Sequence, residues 1–420
     1  MVRLKLMRID GTLTLPGDKS ISHRSLLLAS LTDGNCIIHN ISTGKDVEST
    51  RYCLLSCSIE SIKENSKVEI SGGKLANPEL PLDCGNSGTT VRLLTGLLAG
   101  QNIIAKFIGD NSLSKRPMGR IIQPLKKMGL NIEDHNEKLP IAINGSELKG
   151  IHFETPVASA QVKSCILLAG LGAEGKTSIK ESILTRDHTE IMLKELGINI
   201  VQNGDIEIEP LSGPLTPFEM TVPGDPSTAA FFAAAAAILP NSSLTIRNIS
   251  ANPTRIGFFN ALEKMGGEVI WDNIQFECGE KVGDVHINWA PLNGIEITAP
   301  MIPSLIDELP IIAVLAAHAE GPTMVSGAEE LRVKECDRIH AICRNLTNMG
   351  GEVIEKKDGF IIYPGNTLHN TNISTYHDHR IAMAFTVAGL TTPSENTLDY
   401  PKCMEISFPQ FTSTLNSICR

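Results

Sequence analysis

Four times along the chain an apolar helical pattern closes on Leu-x-x-(Met or Leu)-Gly and gives way to alternating apolar and polar positions. The copies begin at Leu125, Leu193, Leu262 and Leu346, separated by 68, 69 and 84 residues. Each glycine (Gly129, Gly197, Gly266, Gly350) stands where a helix commonly ends in a left-handed residue, a conformation that glycine adopts without penalty. The run that follows alternates as a strand does, as in Gly267 to Ile270 and again in Gly351 to Ile354. A second short alternating run comes soon after, Ile206 to Ile208 or Gly359 to Tyr363, so each unit ends in a β-hairpin. A repeat of about 70 residues divides the 420-residue chain into six units. This predicts an internally repeated α/β protein, with Arg51 to Ile62 as a degraded fifth copy.

Longer apolar stretches predict further helices over Ser25 to Leu31, Val91 to Ala99, Leu309 to Ala317 and about Val333 to Met349. The run Ala229 to Leu239, 11 residues and rich in alanine, is too short to cross a bilayer and reads as a buried helix. The opening MVRLKLMRIDGTLTL alternates like a strand and lacks the apolar core of a signal peptide. The length suits two or three domains. A net charge of -10 argues against a nucleic-acid partner, and no membrane segment is expected. Ten cysteines without a CxxC pair predict neither a metal site nor a disulfide framework, but reduced thiols in a cytoplasmic protein.

The residues that carry chemistry gather at helix starts. LPGDKSISHR, 15 to 24, sets Lys19, Ser20, His23 and Arg24 around a Gly-Asp turn. Asp18 or Ser20 can cap the helix, and its free first-turn amides favour an anion. GNSGTT, 85 to 90, puts Asn86, Ser87, Gly88 and Thr89 in the same setting, and the missing Cβ at Gly88 admits a small anion closely. GDPSTAAFF, 224 to 232, repeats the design with Pro226 in the first turn, but with no basic residue nearby. In LRVKECDRI, 331 to 339, a helix from Val333 puts Lys334, Glu335 and Arg338 on the side of Ile339, Ile342, Leu346 and Met349. Charges on a buried face need partners or a ligand. Asp307 reads as the N-cap of the helix that follows it, and His379 and Arg380 open a helix after Asp378. His377-x-His379 lacks a third metal ligand, so no metal is expected. GLGAEGKT, 170 to 177, fits the P-loop expression, but helical spacing from Val162 to Ala169 precedes it and only the short run Ser178 to Leu184 follows. That is the reverse of the strand-loop-helix order a P-loop requires, and nucleotide binding is rejected.

Six blocks in order, LPGDKSISHR, GNSGTTVRLL (85 to 94), SKRPMGR (114 to 120), LRVKECDRI, DHRIAMAF (378 to 385) and YPKC (400 to 403), resemble the signatures of 5-enolpyruvylshikimate-3-phosphate synthases. The resemblance spans nearly the whole chain. It implies an α/β fold of two similar domains, each of three repeated α/β units in an inside-out, barrel-like arrangement, around an interdomain cleft. The domains would be 14–223, and 1–13 together with 224–420. It implies transfer of the enolpyruvyl group of phosphoenolpyruvate to the 5-hydroxyl of shikimate 3-phosphate, on the route to chorismate and the aromatic amino acids, in a glyphosate-sensitive transferase without metal or cofactor. By the same resemblance Lys19, Ser20, Arg24, Ser159, Ala160, Gln161, Thr185, Asp307 and Lys334 would hold shikimate 3-phosphate. Lys19, Asn86, Gly88, Arg116, Gln161, Arg338, Arg380 and Lys402 would hold phosphoenolpyruvate. Asp307 would act as base and Glu335 as acid, with Lys19 and Lys402 assisting. A monomer acting on small molecules is expected.

The chain departs from the family pattern at Ala160 and Thr185, where many members carry serine, at Glu330, where one branch has asparagine, and at Cys336, where threonine is usual. Two alternatives stand beside this reading. One is the related enolpyruvyl transferase acting on UDP-N-acetylglucosamine, whose loop cysteine is missing from GDNSLSKRPMG; the other is a clamp-like repeat protein, which would line its helices with Lys and Arg.

Overall fold

The computed structural model describes residues 7–420. Its helices are α1 (Lys19–Ala29), α2 (Lys45–Ser56), α3 (Gly88–Gly100), α4 (Gly119–Lys127), α5 (Ala160–Gly170), α6 (His188–Glu195), α7 (Pro226–Ile238), α8 (Gly257–Lys264), α9 (Ile302–Leu305), α10 (Leu309–Ala317), α11 (Arg338–Asn348), α12 (His379–Ala388) and α13 (Phe411–Ile418). Contacts divide the chain into two units. The first holds 17–222 and 276–280; the second holds the described residues up to Pro16, 223–275 and 281–420.

One strand pattern recurs in both units. A parallel pair is extended by an antiparallel hairpin to give a four-stranded sheet. In the first unit Glu219–Thr221 runs parallel to Asn35–His39, which pairs with the hairpin of Lys67–Ser71 and Ser61–Glu64. Leu82–Asp83, Ala105–Ile108 and the hairpin of Ile141–Asn144 and Asn131–Glu133 repeat it. So do His152–Glu154, Thr177–Lys180 and the hairpin of Asp205–Ile208 and Ile200–Asn203. In the second unit Asp10–Thr14 and Ser243–Ser250 open one such sheet, and Glu296–Ile297 and Thr323–Val325 another. The sixth copy keeps only its parallel pair, Asn372–Ile373 with Thr397–Leu398. The six-fold repeat is therefore five full sheets and a remnant among the described residues. The N-terminal strand begins at Asp10; the part of that expectation at 1–6 lies outside the described residues.

The hairpins follow helices that end as the spacing predicted. Gly129, Gly197, Gly266 and Gly350 all have positive φ. In the degraded copy Ser58 takes this position at φ 68°, its amide on the carbonyl of Leu55.

Within each unit three helices are buried on nearly every face and form the middle of the core: α1, α3 and α5 in one, α7, α10 and α12 in the other. In α7 every residue except Thr228 is buried, in keeping with its alanine run. Close approach of α3 and α5 depends on Gly96, where a Cβ would stand 2.2 Å from the carbonyl oxygen of Cys165. No helix among the described residues is long and apolar enough to cross a membrane. The P-loop look-alike runs from helix α5 into the strand Thr177–Lys180.

Candidate active site

Five of these six central helices begin at, or just after, residues singled out by their chemistry. In the first unit Asp18 caps α1, its carboxylate accepting the amide of Ile21 at 2.9 Å. Lys19 donates to Asp46 at 3.0 Å. Arg24 is buried and held by Ser164 Oγ and Thr189 Oγ1, each at 2.7 Å, and by the carbonyl of Ser20 at 2.9 Å. Burial lowers its pKa to about 10, with Glu190 working the other way.

At the start of α3, Ser87 is the cap and accepts the amide of Thr90. Asn86 Oδ1 accepts from Arg116 at 2.8 Å, and its amide donates to Asp110 at 2.7 Å. Gln161, in the first turn of α5, donates to Thr89 at 3.0 Å and accepts from Arg92 at 2.6 Å. Gly88, Asn86, Arg116 and Gln161 are thus gathered around two helix starts. Arg92 joins them unforeseen, although its place one turn after Gly88 in GNSGTTVRLL put it on the same face. A Cβ at Gly88 would lie 2.8 Å from Arg92 Nη1 and 3.2 Å from Arg116 Nη1. Ser159 and Ala160 are half-buried at the α5 start, where Ser159 makes no capping bond through its side chain. Thr185 is buried and bonded to Glu181.

A chain of buried hydroxyls joins these helix starts. His23 Nδ1 meets Thr50 Oγ1 at 2.7 Å, Thr50 meets Thr90 Oγ1 at 2.8 Å, and Thr90 donates to Ser87 Oγ at 2.7 Å. Burial pushes the His23 pKa down to about 3, so the folded protein holds a neutral ring there. The unfolded chain takes up a proton near pH 6.5 and the folded one does not until about pH 3, so folding stability is lost as pH falls through that window. At pH 5 this group alone should cost about 2 kcal/mol relative to pH 7. In His23→Asn, urea unfolding at the two pH values should show that part of the acid sensitivity removed; an unchanged difference would contradict a neutral buried imidazole.

The second unit builds its cluster on Arg338, which is fully buried at the start of α11. Its guanidinium binds Asp378 through Nε at 2.8 Å, Glu335 through Nη2 at 2.7 Å and Asp307 through Nη1 at 3.2 Å. Burial opposes these charges, but mutual pairing wins: Arg338 stays protonated well above the usual range, and the Asp378 carboxyl is held below its own. Asp378 also caps α12, accepting the amides of Arg380 and Ile381. Lys334 Nζ lies 3.6 Å from Asp307. Arg380 donates to the Asp307 carbonyl at 3.1 Å and to the buried Glu308 at 3.3 Å.

Three expectations need correction here. The helix carrying Arg338 starts at Arg338, not Val333, because Asp337 caps it by accepting the amide of His340. Lys334 and Glu335 therefore sit in the turn after the 3-10 segment Glu329–Val333, and only Arg338 is on the buried helix face. Asp307 does not cap α10; Glu308 holds the N-cap position without a side-chain capping bond, and the Asp307 carboxylate faces the cations instead. The α7 start does have a basic neighbour, since Arg255 reaches Asp225 at 3.1 Å and Ser227 at 3.0 Å from 30 residues away in sequence. Lys402 is exposed on the 3-10 turn Pro401–Ile406, which packs on α12, and makes no hydrogen bond or ion pair with the Arg338 cluster among the described residues.

The family model for EPSP synthase (3-phosphoshikimate 1-carboxyvinyltransferase) matches residues 5–415. The 3-phosphoshikimate 1-carboxyvinyltransferase of Persephonella marina is 43% identical over 423 residues, covering 99% of this chain and 98% of that protein. Its counterpart in Desulforamulus reducens is 44% identical over 419 residues, covering 98% and 97%. Among solved structures, the EPSP synthase of Acinetobacter baumannii superposes with a TM-score of 0.87 at 39% identity, covering 98% of this chain and 96% of that one. The enolpyruvyl transferase NikO of Streptomyces tendae shares the fold, with a TM-score of 0.79 at 17% identity over 98% of this chain and 96% of its own. On this similarity across its full length, the chain belongs to the EPSP synthase (3-phosphoshikimate 1-carboxyvinyltransferase) family of enzymes.

Proposed function

We propose that this enzyme transfers the enolpyruvyl group of phosphoenolpyruvate to the 5-hydroxyl of shikimate 3-phosphate and releases inorganic phosphate. The observation that carries the chemistry is the shared guanidinium: Asp307 and Glu335, the two candidate proton carriers, are bound to one Arg338. In the addition step the 5-oxygen attacks C2 of phosphoenolpyruvate, Asp307 takes the hydroxyl proton and Glu335 gives a proton to the methylene, leaving a tetrahedral adduct. In the elimination step the C–O bond to phosphate breaks, the new methyl group returns a proton to Glu335 as the double bond re-forms, and the proton taken up by Asp307 leaves with the phosphate. Lys334, Arg338 and Arg380 stabilise the anionic groups, so no metal is called upon. Glu335 must exchange its contact with Arg338 to carry a proton, and the anionic groups of phosphoenolpyruvate are suited to take that guanidinium over.

In this reading Lys19, Ser20, Arg24, Ser159, Ala160, Gln161, Thr185, Asp307 and Lys334 hold shikimate 3-phosphate. Lys19, Asn86, Gly88, Arg116, Gln161, Arg338, Arg380 and Lys402 hold phosphoenolpyruvate. The same reading takes the enzyme to work as a monomer in the cytoplasm, without cofactor. Following the reaction by phosphorus NMR tests it: the phosphoenolpyruvate resonance should be replaced by that of inorganic phosphate, while the shikimate phosphate stays a monoester. Loss of the monoester resonance, or no change, would contradict it.

Gly88 supplies a second test. The phosphonate glyphosate is longer than phosphoenolpyruvate and should inhibit by competing with it. In Gly88→Ala the new methyl presses on the space between Arg92 and Arg116. The inhibition constant should rise on the order of tenfold or more, and the phosphoenolpyruvate KM by less, because the clash acts more on the longer ligand. Equal inhibition of parent and variant would remove Gly88 from the site.

A further inference from the structure

Lys163 lies on α5, two residues past Gln161, with a side chain that is 0% exposed. Its ammonium reaches Glu181 Oε2 at 2.8 Å, Glu190 Oε1 at 2.7 Å and the carbonyl of Thr185 at 3.5 Å. Glu181 in turn accepts the hydroxyl of Thr185. One ammonium is thus hydrogen-bonded to the beginning and middle of a single stretch, 181 to 190, and ion-paired with its end, in the first turn of α6. Next to it on both helices, Ser164 Oγ and Thr189 Oγ1 meet at 2.7 Å, and both hold Arg24.

Stability alone is a poor reason for this lysine. Moving an ammonium and two carboxylates out of water costs several kcal/mol each, and apolar residues of similar volume commonly do as well or better. What an apolar residue cannot do is tie a loop, through Glu181 and the carbonyl of Thr185, and the helix after it, through Glu190, to a third element at one point. We propose that Lys163 is a positioning residue that clamps the 181–187 loop to α5 and so sets where Thr185 stands relative to the helix that carries Ala160 and Gln161, for binding shikimate 3-phosphate. The proposal rests on the assignment of those residues to that substrate.

Two variants separate positioning from folding. Lys163→Met leaves two buried glutamates without their cation; Lys163→Met combined with Glu181→Gln and Glu190→Gln removes the charges altogether and should recover thermal stability. In both, the KM for shikimate 3-phosphate should rise on the order of tenfold or more, with kcat and the phosphoenolpyruvate KM within about threefold of the parent. Amide hydrogen exchange over 181–187 should quicken in both. A triple variant with the parental KM for shikimate 3-phosphate would overturn the proposal, as would a parallel rise in both KM values. Unchanged exchange in the loop would overturn the clamp whatever the substrate. Faster exchange in a protein whose parent does not use shikimate 3-phosphate would leave the clamp standing and refute the functional reading instead.

Discussion

Asp307→Ala and Glu335→Ala will each turn over on the order of 10²- to 10⁴-fold more slowly than the parent, because each removes a group that carries a proton in the reaction. The fold should survive. Asp307 is one of three carboxylates on Arg338, and Glu335 sits in a turn rather than in a helix. Steady-state kcat measured beside the thermal midpoint checks both points. Turnover within a few-fold of the parent in either variant would take that residue out of the chemistry.

Arg338→Met should show the largest loss of stability, about 3–5 kcal/mol, since it strands carboxylates that share its charge in the interior. Asp378 is the most exposed to this change, being fully buried and committed to capping α12. The pH dependence has a defined sign. In the parent the Asp378 carboxyl is held low by Arg338, so its contribution to stability is present above the ordinary carboxyl range and is lost as pH falls. In the variant that charge is a liability which protonation relieves. The deficit relative to the parent should therefore be greatest near neutral pH and shrink toward pH 4. Urea unfolding at several pH values measures it; a deficit under about 1 kcal/mol, or one independent of pH, would mean that the cluster does not rest on Arg338.

What the residues disclosed and what they concealed divide along local and long-range physics. The glycine caps were readable because Gly129, Gly197, Gly266 and Gly350 answer to a backbone requirement confined to one turn. Ser58, which meets the same requirement with a side chain, shows why the fifth copy looked degraded. The sixth copy could not be recognised at all, having kept two short parallel strands without the hairpin. In the site, Asp18, Ser87 and Asp378 cap helices as their positions suggested, since capping spans only two or three residues. α11 starts later than its apolar periodicity predicts because Asp337, in the turn before it, caps the helix by accepting the amide of His340. The pairings of Lys19 with Asp46, Arg255 with Asp225 and Lys163 with two glutamates join segments far apart in sequence, and no spacing rule could have announced them.

The hydroxyl that receives the enolpyruvyl group defines this enzyme. Phosphate release from phosphoenolpyruvate should be followed with a coupled assay in the presence of either shikimate 3-phosphate or UDP-N-acetylglucosamine. Rapid, saturable release is expected with shikimate 3-phosphate, lost in Asp307→Ala, and none above background with the nucleotide sugar. Release dependent on UDP-N-acetylglucosamine, or on neither acceptor, would contradict it.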